Sequence, residues 1–166
     1  MSTIISGDTG VNQISPGAIE KADLPAGSVL QVVQTRTQTP FSTSSGSAVS
    51  TGFSATITPT SASSNILVIA YSTLGVPTSG MNGHIDLRKG TSTTLATDWY
   101  VTYGGADYVN MSFTAVYLDS PVGSTSATTY NLYAYRDGAA GTIYVGSRRD
   151  GGSPVVTSVT LMEIAA

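Results

Sequence analysis

From Ser28 to the C-terminus no segment places apolar residues at i, i+3, i+4 and i+7 for three turns, so the chain has no amphipathic helix with which to build a core. It offers instead short runs of β-branched and aromatic residues, separated by clusters of Gly, Ser, Thr, Pro and Asn. That pattern belongs to antiparallel sandwiches and barrels, because branched and aromatic side chains pack well on a pleated surface and the other residues form turns. About eight strands are predicted: Val29–Thr37, Phe53–Thr58, Ile66–Ser72, His84–Arg88, Thr94–Tyr100, Val109–Asp119, Thr129–Arg136 together with Ile143–Ser147, and Val155–Ile164. Most of the 18 Gly and 7 Pro fall between them, so an all-β class with very little helix is expected.

Residues 1–27 follow a different rule. Gly7, Gly10, Pro16, Gly17, Pro25 and Gly27 interrupt every regular period, which marks an arm ahead of one β domain spanning residues 28–166. A single helical turn is conceivable over Ala18–Asp23, with Ser15 as its N-cap and Pro16 early in the turn. The arm carries scattered apolar residues, Ile4, Ile5, Val11, Ile14, Ile19 and Leu24, which would suit a groove or an exposed strand edge on another protein. At 166 residues the chain is long enough for one ordinary hydrophobic core.

Alternation along the strands shows how the sheets are used. In Val109–Asp119 one face carries Val109, Met111, Phe113, Ala115 and Tyr117, and the other begins polar with Asn110, Ser112 and Thr114 before Val116 and Leu118. The run Ile66–Tyr71 is apolar on both faces, and the last strand sets Met162 and Ile164 against Val159 and Leu161. A two-layer sandwich covers only its inner faces, so an apolar outer face calls for a neighbouring subunit. Ile66, Val68, Tyr71, Tyr133, Tyr135, Met162 and Ile164 are therefore the candidate subunit interface.

Charge and reactive groups exclude several functions. With 7 Lys+Arg against 10 Asp+Glu the net charge is −3, and no basic field exists to hold a nucleic-acid backbone. Cysteine is absent, which removes disulfides, thiol nucleophiles and thiolate metal sites. The longest wholly apolar run, Ile66–Tyr71, is far short of the ~20 residues of a membrane-spanning helix, so no membrane insertion is expected. The N-terminus resembles no export leader, and synthesis in a host cytoplasm is the expectation.

The search for chemistry is mostly negative. His84 is the single histidine and shares a strand face with Asp86 and Arg88, a face read as solvated. No Gly-x-Ser-x-Gly elbow accompanies it, and neighbours on one strand do not make a catalytic triad. No cluster of His, Cys or carboxylates has metal-ligand spacing, although a calcium ion held by loop Asp residues stays open. Asp86, Asp98, Asp107 and Asp119 are the carboxylates from which a glycosidase pair would have to come, and strand ends and turns are the favoured reading of them. Arg136-Asp137-Gly138 and Arg149-Asp150-Gly151 read as turns, Gly104-Gly105 as a loop hinge, and no phosphate-binding glycine motif is present. No catalytic residue, metal or cofactor is expected, and the protein is expected not to be an enzyme.

Nine tyrosines are the most distinctive feature of the surface chemistry. Tyr130, Tyr133 and Tyr135 share one strand, while Tyr100, Tyr103 and Tyr108 surround one loop. Tyrosine buries a large area while keeping a hydrogen-bonding tip, which suits subunit contacts. The second group is also the candidate glycan-binding platform, since tyrosine stacks on sugar rings.

Five stretches carry a family resemblance. They are Leu24-Pro25-Ala26-Gly27-Ser28-Val29-Leu30-Gln31-Val32-Val33, Ile57-Thr58-Pro59-Thr60-Ser61-Ala62-Ser63-Ser64-Asn65-Ile66-Leu67-Val68, Tyr117-Leu118-Asp119-Ser120-Pro121, Thr125-Ser126-Ala127-Thr128-Thr129-Tyr130 and Val159-Thr160-Leu161-Met162-Glu163-Ile164. Together, over about residues 24–166, they resemble a terminal domain that recurs in fibre and decoration-type proteins of tailed bacteriophages. The resemblance implies a jelly-roll-like sandwich, a homotrimer and a place on the outer surface of the virion, with no catalytic residues to carry over. The short arm, without a repetitive shaft, favours a capsid decoration or cement protein, a head fibre, held by the major capsid protein or another virion protein. A short tail fibre or spike tip that binds a host glycan is the alternative, and a glycan hydrolase the remaining one.

Overall fold

The computed structural model describes residues 23–101, 109–148 and 152–166, with residues 98–101 described by their backbone alone. Ten strands follow in order: β1 (Val29–Thr37), β2 (Phe41–Thr43), β3 (Val49–Ile57), β4 (Asn65–Val76), β5 (Met81–Lys89), β6 (Thr93–Val101), β7 (Val109–Asp119), β8 (Thr128–Gly138), β9 (Ile143–Val145) and β10 (Thr157–Ile164). All eight expected strand regions are present, and no α-helix occurs among the described residues. The short β2 was not anticipated. It follows Pro40 and has three residues, too few for an alternating pattern to register.

The strands form two antiparallel sheets. Sheet A runs β1-β10-β4, with β7 on the far side of β4, while β9 and β2 extend it at the Leu74–Gly75 end of β4. Sheet B runs β3-β8-β5-β6. Leaving aside the short pair β2 and β9, the order β1-β10-β4-β7 over β3-β8-β5-β6 is that of an eight-stranded jelly roll. Consecutive strands mostly alternate between sheets, so the interior closes only when distant parts of the chain meet.

Period-two alternation fills that interior. Sheet A contributes Ile66, Val68, Ala70 and Leu74 from β4, Phe113 and Ala115 from β7, and Val159 and Leu161 from β10. Sheet B answers with Phe53, Ala55 and Ile57 from β3, Ile85 and Leu87 from β5, and Tyr130, Leu132 and Ala134 from β8. The sheets approach closely at Gly83, where a Cβ would lie 2.9 Å from Leu74 Cδ2 and 3.0 Å from Val76 Cγ2. Gly83→Val is therefore expected to cost about 1–3 kcal/mol through overpacking. Urea unfolding of the purified protein measures this, and an unchanged midpoint would show that the sheets separate freely there.

Polar groups share the interior, among them a carboxylate. Glu163 on β10 is fully buried, and its carboxylate accepts bonds from the Gln31 side-chain amide at 2.6 Å and from the Thr60 N–H and hydroxyl, each at 2.7 Å. Burial alone would raise its pKa, but the donors on Thr60, Gln31 and Ser64 outweigh it and hold the carboxyl at about 2. A carboxyl whose pKa is depressed on folding adds stability above its unfolded value and loses it as pH falls through the folded one. Its contribution should be complete above about pH 4.5 and vanish towards about pH 2. Glu163→Gln is expected to remove that acid-side loss and to lower stability at pH 7 by about 1–3 kcal/mol, since one donor loses its acceptor. Thermal melts of both proteins between pH 2 and pH 7 check it.

Candidate interaction surfaces

The outer face of sheet A is assembled by register. Val32, Met162, Leu67 and Leu118 lie side by side across β1, β10, β4 and β7. The next row holds Gln34, Thr160, Ile69 and Val116, and the next Arg36, Ser158, Tyr71 and Thr114. Val116 is 65% exposed, Val32 57% and Leu118 48%, large values for apolar side chains grouped on one face. Two of the rows contain no charge at all. Isolated exposed apolar residues are ordinary on any protein, whereas a contiguous group spread over four strands is the composition of a contact surface.

This placement corrects part of the interface expected from sequence. Ile66 and Val68 are 0% exposed and face sheet B, so they are core residues and not interface residues. Their sequence neighbours Leu67 and Ile69 occupy the outer face instead. The run is apolar on both faces, and its inward row is chosen by the continuation through Ala70, Ser72, Leu74 and Val76, which the opposing sheet covers. Tyr71, Met162 and Ile164 do lie half-buried on the outward side of sheet A. Tyr133 and Tyr135 belong to sheet B, on the opposite side of the sandwich, and cannot share one patch with them.

The outer face of sheet B has a different chemistry. On β5 and β8 the register sets Asn82 opposite Asp137, His84 opposite Tyr135 and Asp86 opposite Tyr133. His84 stacks on the Tyr135 ring with centroids 4.3 Å apart and planes 5° from parallel, and its Nε2 lies 3.1 Å from Asp137 Oδ2. Asn82 donates its side-chain amide to the other Asp137 oxygen. Asp86 accepts from Arg88 at 2.5 Å and from the Thr97 hydroxyl at 2.9 Å, and the Arg88 guanidinium sits 4.5 Å from the Tyr133 ring centroid. Burial and the nearby Asp86 and Asp137 raise the Tyr135 phenol pKa, so it stays a neutral donor.

This face is not the solvated one that strand alternation implied. His84 is 4% and Asp86 3% exposed, because the flanking tyrosines and the pairing with β6 cover them. Among the described residues His84 Nδ1 is buried without a hydrogen-bond partner, and no hydroxyl group bonds to the ring. Asp86 is neutralised by Arg88, and Asp119 by Lys89 at 2.7 Å and by the Tyr130 hydroxyl at 2.6 Å. Of the carboxylates singled out from sequence, Asp86 ties β5 to β6 through Thr97 and Asp119, on β7, ties sheet A to Lys89 and Tyr130 of sheet B, while Asp107 and the Asp98 side chain lie outside the described residues. Among the described residues no group of three His, Cys, Asp or Glu side chains could hold a metal ion. A groove of about 300 Å³ between the β1 and β3 edges is lined by Thr35, Thr37, Thr51, Phe53 and Thr157, and carries no charged group.

The remaining sequence candidates lie elsewhere. Ile4, Ile5, Val11, Ile14 and Ile19 of the arm fall outside the described residues, as do Tyr103, Tyr108 and the Tyr100 side chain. Leu24 is exposed and lines a shallow groove with Leu30, Thr60 and Ala165. Gly138 adopts φ +72°, as an Asp-Gly turn requires, but Asp137 also anchors His84 and Asn82, a role its turn signature did not reveal. Val116 and Leu118, exposed on the same outer face, were not among the sequence candidates although the alternation of β7 contains them.

No protein-family model matches the chain, and no curated protein matches it. Among solved structures it is similar to that of an infectious bursal disease virus Gx strain, with 18% identity, a TM-score of 0.40, and coverage of 82% of this chain and 37% of the other. It is also similar to a mutant VP2 protein of infectious bursal disease virus in derived T=1 particles, at 15% identity and TM-score 0.42, over 93% of this chain and 41% of that one. A VP2 subviral particle of the same virus gives 15% identity, TM-score 0.39, 84% and 39%. The chain thus spans about two-fifths of the length of each. What the chain does is argued from its own surfaces.

Proposed function

We propose that this chain is a structural protein of a tailed-bacteriophage particle, a trimeric capsid decoration or cement protein held on the virion by its N-terminal arm. The observation that carries the reading is the apolar outer face of sheet A, because a side so poor in charge asks for permanent cover by another protein surface. A jelly roll presenting such a face is suited to assembly, and the resemblance of residues 24–166 to phage fibre and decoration domains supplies the particle and the threefold symmetry. The partner of the arm is then the major capsid protein or another virion protein. The Asp86–Thr97 and His84–Asp137 contacts tie β5 to β6 and to β8, so these groups are read as strand braces and the protein is expected to have no hydrolytic activity.

Electron microscopy of particles carrying a tagged copy tests the location, and label on the head at regular positions is the expected result. Label at the tail tip would move the protein to the second reading, a fibre tip that recognises a host glycan. The outer face of sheet B favours that alternative, with Tyr133 and Tyr135 half-exposed between charged groups. Binding on a glycan array, lost in Tyr133→Ala, would support it. Turnover of host polysaccharide that is lost in Asp86→Asn would overturn the non-enzymatic part of the proposal.

A further inference from the structure

The free edge of β7 differs from the other sheet edges in the described residues. β1 carries a register shift between Val29 and Gln31, β3 one between Ser50 and Ser54 at Gly52 with φ +78°, and the β5–β6 pair one at Leu87/Arg88. Irregularities of this kind, like charges and prolines, keep sheet edges from pairing with other molecules. β7 has none of them: its 11 residues pair with β4 without a break from Val109 to Asp119. Its one charge, Asp119 at the end, is taken by Lys89 and Tyr130.

The backbone direction at that edge follows from the ladder. The Thr73 carbonyl accepts from the Gly146 N–H beside β9, so the odd-numbered residues of β4 turn their backbone groups towards β9 and β10. The even-numbered residues of β4 then face β7, and their register partners are the odd-numbered residues of β7. Asn110, Ser112, Thr114, Val116 and Leu118 are left with N–H and C=O groups pointing away from the sheet. All five are exposed.

We propose that β7 is a self-pairing edge, at which two copies of this chain join β7 to β7 antiparallel about a two-fold axis through Thr114. In that register Thr114 meets itself, Ser112 meets Val116 and Asn110 meets Leu118. Every outward residue then falls in a hydrogen-bonded pair, giving about ten inter-chain bonds at two per pair. The pairing is isologous, so one strand supplies both halves of the contact, and no like charges meet. On the inward side Met111, exposed although it lies on the core-side face of β7, is brought opposite Tyr117 of the second copy. A regular, uncharged edge that complements itself selects a second copy as its occupant.

This contact lies in the plane of sheet A, whereas the trimer contact proposed above uses side chains normal to it. The two are compatible, and they close at six copies where the two-fold crosses the threefold at right angles. Native mass spectrometry of the full chain tests the edge, with six copies expected for the wild type and three for Thr114→Pro, which removes an outward N–H and leaves the β4 ladder intact. Thr114→Lys and Thr114→Asp, which set like charges against each other across the axis, should each also give three copies. Mixing those two variants should restore six, a rescue that holds even if the proline variant fails to fold. A wild type of two copies reduced to one by Thr114→Lys supports the edge and overturns the threefold reading. A wild type of three copies, or any assembly unchanged in the charge variants, overturns the edge contact.

Discussion

Ile66→Ala is expected to destabilise the protein by about 2–5 kcal/mol, and Leu67→Ala, at the adjacent position, by under about 1 kcal/mol. Ile66 is fully buried between the sheets, so truncation removes its transfer free energy and leaves a cavity that a rigid sandwich fills poorly. Leu67 points the other way, beside Met162 and Leu118, where shortening it opens no enclosed space within one subunit. Association should show the reverse order. Leu67→Asp places a charge in the middle of the apolar face, and its copy number should fall to the two held by the β7 edge while it keeps the wild-type circular dichroism spectrum. Urea melts below the association threshold, read beside native mass spectrometry, separate the two quantities. Equal losses of stability at the two positions would mean that the alternation of β4 is not as described.

That pair of residues also shows how far the sequence could be read. Period two identifies Ile66–Tyr71 as a strand, yet a run apolar on both faces contains two equivalent rows and does not say which is inward. The choice comes from Leu74 and Val76, which meet Gly83 on the opposite sheet, a contact between residues that no local pattern relates. β7 was legible to the residue because one of its faces begins polar and fixes the phase. His84 and Asp86 misled for a related reason: polar residues alternating with Ile85 and Leu87 look like a solvated face until Tyr133, Tyr135 and Thr97 arrive from other strands to cover them. Glu163 gave no signal at all, since its donors Gln31 and Thr60 lie more than a hundred residues away in the chain. Strand existence was thus a local property, while facing and burial were decided by long-range pairing.

Deleting residues 1–24 is expected to abolish attachment to the particle while leaving a folded β domain that associates as before. The start of β1 is held by bonds that begin at Pro25: the Gly27 N–H donates to the Ala165 carbonyl, the Ala165 N–H donates back to the Ser28 carbonyl, and the Ser28 N–H closes a turn onto Pro25. All three bonds survive truncation before Pro25, so the loss of thermal stability should stay within about 1 kcal/mol. Attachment follows a different arithmetic. Ile4, Ile5, Val11, Ile14, Ile19 and Leu24 are small, separated anchors, and each alone buries too little area to hold a subunit on a surface. Three arms displayed by one trimer would bind in succession at high effective concentration, which converts weak single contacts into long occupancy. Leu67→Asp should therefore reduce particle occupancy although it leaves every arm intact, because losing the threefold contact leaves fewer arms on each assembly. Decoration of purified particles, read from gel band intensities after sedimentation, measures all three proteins together. Full occupancy by the truncated chain would move the docking surface onto the β domain, and full occupancy by Leu67→Asp with its copy number reduced would show that threefold association is not needed for attachment.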